Sequence, residues 1–247
     1  MITNSYYMQD YTLYLLAIIG ILILSAIASS RVKSTFKKFD KIYCRSRMTG
    51  AEVASHLLKS GGAYDISIGC VSGELSDHYH PAKAIVNLSQ STYNSSSVAA
   101  AAVAAHEIGH VMQKKNGFFL YNVRTALVPV VNAGSYLAFP LVLIGLLLDS
   151  FVRLSDPNTG FYIAMIGVAL YGTALLFSLV TLPVELDASN RAKKMLLENH
   201  IISEDEIPGA TKVLNAAAFT YVVSVLAALV NFMRFLLYVL RLFGRRD

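Results

Sequence analysis

Four long apolar runs and one mixed region divide the chain. The first run covers Tyr11 to Ser30 and carries no charge. The second covers Ala126 to Leu148 and contains Pro129 and Pro140. The third covers Phe161 to Leu182 and is expected to stop near Pro183. The fourth covers Ala216 to Phe243 and carries Arg234 and Arg241. Each reaches the roughly 20 residues that a helix needs to cross a bilayer. Proline is tolerated inside such a helix when neighbouring groups satisfy the freed carbonyls. Between the second and third runs, Asp149 to Gly160 includes Asp156-Pro157-Asn158, which predicts a tight turn and a transmembrane hairpin. The fourth run is long for one upright span. A span to about Phe232 followed by an interfacial helix fits it, and so does an Arg234 that snorkels or faces protein.

The mixed region from Arg31 to Tyr121 predicts a small α+β unit. Thr49 to Ser60 reads as an amphipathic helix, with Thr49 as cap, Glu52 completing a capping box and Gly61-Gly62 as the stop. Ile66 to Val71 alternates as a strand does, and Ala84 to Leu88 is a second short apolar run. Ser95, Ser96 and Ser97 then cap a helix from about Val98 to Lys114, whose alanines favour helix strongly. The expected class is a mainly α membrane protein with about four transmembrane helices. Its expected parts are an anchor at 1–30, a cytoplasmic unit at 31–121, a transmembrane hairpin at 122–183, a cytoplasmic segment at 184–215, and a fourth transmembrane or interfacial helix with a basic tail at 216–247.

Composition supports lipid as part of the solvent. Hydrophobic residues make up 55% and charged residues only 15%, with a mean hydropathy of +0.50. A soluble domain carries roughly 25% charged residues. The net charge of +5 sits beside the apolar runs rather than on a separate basic domain, which argues against nucleic acid and for membrane orientation. Arg31, Lys33, Lys37, Lys38, Lys41, Arg45 and Arg47 follow the first run, whereas no Lys or Arg precedes it. That is the reverse of a secretory signal, so a retained anchor is expected. Arg191, Lys193, Lys194 and Lys212 lie between the third and fourth runs. The positive-inside rule puts both basic segments in the cytoplasm. Cys44 and Cys70 make neither a metal spacing nor a disulfide framework and are expected to be free thiols.

The candidate chemistry is His106-Glu107-Ile108-Gly109-His110 on the Val98–Lys114 helix. Residues four apart share a helix face. Two imidazoles in that arrangement bind one zinc ion, and Glu107 then serves as general base toward a metal-activated water. Catalytic zinc takes three protein ligands and leaves one position open. Gln113 to Asn116 provide no His-x-x-Gly-x-x-His continuation, so the third ligand must lie elsewhere. Glu185 is the predicted one: a carboxylate at the edge of an apolar helix is costly unless paired or metal-bound. Two spans separate it from the His106 helix, so both lie on the same side of the membrane. His78 and His80, two apart beside Pro81, are rival ligands. Asp187 and Ser189 are candidates for orienting a ligating imidazole. Tyr221 is read first as a core residue, with an oxyanion donor as the alternative. His56 and His200 are expected at the surface.

The runs Asp77-His78-Tyr79, Ala104-Ala105-His106-Glu107-Ile108-Gly109-His110-Val111-Met112-Gln113 and Leu182-Pro183-Val184-Glu185-Leu186-Asp187-Ala188-Ser189 resemble the membrane zinc metallopeptidases of the YugP type. So does the basic stretch Lys33-Ser34-Thr35-Phe36. The resemblance covers nearly the whole chain. It implies a multi-pass protein of the bacterial inner membrane, a zincin-like cytoplasmic unit and kinship with the gluzincins. In those enzymes a Glu ligand is followed four residues later by Asp, a place that Ser189 takes here. The resemblance also implies an edge strand beside the zinc helix that pairs with extended substrate, and Tyr79–Leu88 is the candidate segment.

The function expected is therefore a membrane-bound zinc endopeptidase acting on membrane or misfolded proteins at the cytoplasmic face. Its expected partners are peptide substrates and the lipid bilayer; the oligomeric state stays open. An intramembrane protease is a rival, but Val98 to Met112 is too short to cross. A zinc-holding scaffold without activity is another, against which Glu107 stands, because a structural site needs no base.

Overall fold

The computed structural model describes residues 2–151 and 158–244. The four apolar runs all lie in long helices: α1 (Ile2–Phe39), α5 (Phe119–Phe151), α6 (Thr159–Glu198) and α7 (Ile207–Phe243). Each is long and apolar enough to cross a membrane. Between α1 and α5 come α2 (Gly50–Ser60), β1 (Ser67–Val71), β2 (His78–His80), β3 (Ile85–Ser89), α3 (Gln90–Tyr93) and α4 (Val98–Lys115). The chain is mostly helical, with one small three-stranded sheet.

One expectation about these helices is corrected. Pro183 does not end the third apolar helix; α6 continues through it to Glu198. A proline removes one intrahelical donor and crowds one carbonyl, and a long helix absorbs that loss when packing holds both sides. The fourth run, which the sequence leaves open, is one helix to Phe243, α7. Arg234 stays inside it: its Nη1 donates to Tyr14 Oη at 2.7 Å, and the guanidinium stacks 3.8 Å from that ring. Part of the turn expected around Asp156-Pro157 lies outside the described residues.

The chain forms two compact units. One comprises residues 1–25, 123–181 and 222–247. Here α5 and α6 touch through glycines. A Cβ on Gly167 would stand 2.6 Å from the Ala138 carbonyl oxygen, and one on Gly134 would stand 2.6 Å from that of Leu170. Small residues at helix contacts are how apolar helices associate where no hydrophobic drive separates them from lipid. Leu13, Leu22, Tyr136, Phe139 and Leu143 point outward, as lipid-facing positions would.

The other unit comprises residues 26–122 and 182–221. Thr49 and Glu52 form the reciprocal capping box at the start of α2, a pair worth about 1 kcal/mol. In the sheet, β3 lies between the other two strands, parallel to β1 and antiparallel to β2. The expected edge segment is therefore corrected. Its C-terminal half is the central strand β3, with Val86 and Leu88 fully buried, and only β2 is a free edge on that side. Lys114 near the end of α4 donates to the Pro81 carbonyl at 2.9 Å and lies over the Tyr79 ring, so β2 runs beside α4. Asp77 ties β2 to the end of β3 by accepting from the Ser89 N–H at 2.8 Å.

At the centre of this unit is α4, buried on nearly every side. A helix apolar all round belongs in a core, and its alanines let α2, the sheet and the ends of α1, α6 and α7 approach closely. Ser97 caps it by accepting from Ala100 N–H at 3.0 Å. Asp40 holds that serine in place, accepting from the Ser95 and Ser97 hydroxyls at 2.7 Å each. Cys44 is buried and Cys70 exposed, and both are free thiols.

Candidate metal centre

His106 and His110 leave the same face of α4, one turn apart. Their rings stand edge to face with centroids 4.8 Å apart. The opposite wall is α6. Gly109 lets it come close: a Cβ there would sit 2.6 Å from the Ala188 carbonyl oxygen. That approach brings Glu185, one turn before Ala188, against both rings. Glu185 Oε2 lies 3.2 Å from His106 Nε2 and 3.5 Å from His110 Nε2. The carboxylate is 2% exposed. The ligand atoms of the three residues all lie within 4.8 Å of one another, a group able to hold a metal ion. Among the described residues no further His, Cys, Asp or Glu joins it.

The donor chemistry fits zinc. Two imidazole nitrogens and one carboxylate oxygen are a ligand set that zinc accepts, and three protein donors leave a fourth position free. The outward nitrogens of both rings are engaged as a ligating histidine requires. Ser189 Oγ lies 3.2 Å from His106 Nδ1. Gln113 Oε1 lies 2.9 Å from His110 Nδ1. The Gln113 amide nitrogen donates to the Val184 carbonyl at 2.7 Å and to Asp187 Oδ2 at 2.8 Å. Both amide hydrogens are thereby used, so Oε1 must accept from His110 Nδ1–H. The lone pair of His110 Nε2 is left for a metal. Arg191 fixes the far end of the chain, its Nε donating to Asp187 Oδ2 at 2.6 Å.

Burial is the largest single influence on the His110 imidazole and pushes its pKa down, while the Glu185 hydrogen bond pushes it up. With the charges of Glu107 and Glu185 and the Gln113 bond, the net direction is upward. A proton and a metal therefore compete for the same nitrogen.

Glu107 is nearly buried and lines a cavity with His106. Tyr221 and Asp77 border the same cavity. The expected rivals stay out of the cluster. His78 donates from Nδ1 to the Ser76 carbonyl at 2.9 Å, and its Nε2 accepts from Asn87 at 3.1 Å. His80 Nδ1 accepts from the Lys83 N–H at 3.3 Å. Neither belongs to the group that can hold a metal. His56 and His200 are exposed.

Comparison with known proteins gives the family of the chain. The model of a family described as "Putative neutral zinc metallopeptidase" matches residues 14–240. The chain belongs to this family. It is also 38% identical, over 91% of its length and 96% of the relative's, to the "Putative membrane protease YugP" of Bacillus subtilis (strain 168). No solved structure matches. For a family of zinc metallopeptidases, the His106, His110 and Glu185 group is where this chain would hold its metal.

Gln113 is the residue that sequence reasoning missed. Three places after His110 and just before Lys114-Lys115, it reads as the polar end of a helix. It is instead fully buried. Replacing it with leucine should lower zinc affinity about 10- to 100-fold, the usual cost of losing a partner that orients a ligand. Competition against a chromophoric chelator measures this; unchanged affinity would mean that Gln113 serves packing alone.

Proposed function

We propose that this protein is a membrane-bound zinc endopeptidase that hydrolyses membrane or misfolded proteins at the cytoplasmic face. The observation that carries the reading is the meeting of His106, His110 and Glu185 beside a cavity that Glu107 lines. His106, His110 and Glu185 hold the metal, and Glu107 is the general base. A bound zinc ion supplies Lewis acidity, lowering the pKa of water to about 7 and polarising a carbonyl. Ser189 and Gln113 keep the two imidazoles turned so that each offers Nε2. Glu107 takes the proton of the attacking water and returns it to the leaving amine. β2, the free edge beside α4, is where an extended peptide backbone would pair, which implies loose sequence preference. Several features support the location: four membrane-capable helices, the name of the Bacillus relative, and the positive charge that follows the apolar stretches of α1 and α6. The short α4 is not among the membrane-capable helices, which favours a site outside the bilayer over an intramembrane one.

Removing the metal tests the reading. Detergent-purified protein should cleave an unfolded substrate such as reduced casein, lose that activity with 1,10-phenanthroline, and recover it when zinc is returned. Cleavage that persists in the chelated protein would contradict a zinc mechanism.

A further inference from the structure

The cavity beside His106 and Glu107 has a volume of about 180 Å³. Most of its wall comes from three helices, with Val32 and Phe36 of α1, Val103 of α4, and Val213, Leu214 and Ala217 of α7, and Leu75 and Asp77 add the segment before β2. Phe36, Val213 and Leu214 are buried. An apolar cavity of about 150 Å³ accommodates a benzene ring, so this one has room for an isobutyl or benzyl group. Asp77 is tied to Ser89, accepting from its N–H and hydroxyl, and a charged side chain would be set among Val32, Phe36, Val103, Val213 and Leu214. An acidic one would meet Glu107. Uncompensated charge against such walls is costly.

Resting on the zinc-peptidase reading, we propose that this cavity is the specificity pocket. It takes a bulky aliphatic or aromatic side chain of an extended peptide, immediately beside the bond to be cleaved. His106 and Glu107 belong to the same cavity, so a side chain seated there brings its own peptide group to the ligand and the base. The two outer walls are parts of α1 and α7, helices that also contain membrane-capable stretches. The substrate class is therefore apolar extended segments, as membrane proteins and misfolded chains present.

Hydroxamates chelate zinc, so their binding tests the pocket without requiring turnover. Two succinyl hydroxamates are compared on the zinc-loaded protein, one bearing an isobutyl group and one bearing hydrogen in its place. The isobutyl compound should bind about ten- to hundredfold tighter, the gain for burying a leucine-sized group. Ala217→Phe should erase that gain while zinc content stays near one per chain. Val213→Ala should shift preference toward a naphthylmethyl hydroxamate. This second variant decides the matter where Ala217→Phe fails to fold, and an unchanged ratio there overturns the pocket. Equal binding of the two compounds to the wild type overturns the pocket and leaves the peptidase reading intact. Failure of both to bind a zinc-loaded protein overturns the peptidase reading itself.

Discussion

Glu107→Gln should abolish proteolysis while the protein keeps its zinc. The amide preserves the shape of the side chain but accepts no proton at neutral pH. A positioned general base contributes about 10²- to 10⁴-fold to rate, so kcat should fall by that factor. Zinc affinity should stay within a few-fold, because the metal-capable group comprises His106, His110 and Glu185 without Glu107. Casein cleavage and metal content, measured on the same preparation, test both halves. A variant that loses zinc along with activity would make Glu107 a ligand rather than a base.

Glu185→Ala should lose both zinc and activity. The carboxylate is the only negative donor in the group and the only one contributed by α6. Removing it leaves two imidazoles on a single helix. The loss of affinity should exceed the roughly 10- to 100-fold that follows removal of an outer partner such as Gln113. Glu185→Gln, which keeps the volume and drops the charge, should also lose affinity. If it retained zinc, shape rather than charge would be holding the metal. Chelator competition on the three proteins separates these outcomes.

The difference between Glu185 and Gln113 marks how far the sequence carries. His106 and His110 are readable because helix periodicity alone puts them on one face. Glu185 is readable because a carboxylate next to an apolar helix needs a partner, and two intervening spans return it to the side of the His106 helix. Gln113 is not readable that way. Its role depends on the register of α6 against α4, which the close approach of Gly109 to Ala188 sets, and one sequence does not display that register. Ser189 was legible as a candidate but not in its partner; the structure gives it to His106, and gives Asp187 to Gln113 and Arg191.

The fold shows the same division. Local signals served well where they act locally. The capping box at Thr49 and the serine cap of α4 both stand where the pattern puts them. Pro183 misled because a proline stops an isolated helix, whereas here packing on both sides of it carries α6 onward. The order of the sheet was also hidden. A short apolar run suits either a central or an edge strand, and it is the pairing on both flanks of β3 that decides.

The most direct test of the central claim is the zinc content of the purified protein and three variants, measured together by plasma mass spectrometry. About one zinc per chain is expected in the wild type, in Glu107→Gln and in His78→Ala, with little in Glu185→Ala. Full zinc in Glu185→Ala together with its loss in His78→Ala would contradict the assignment of the centre.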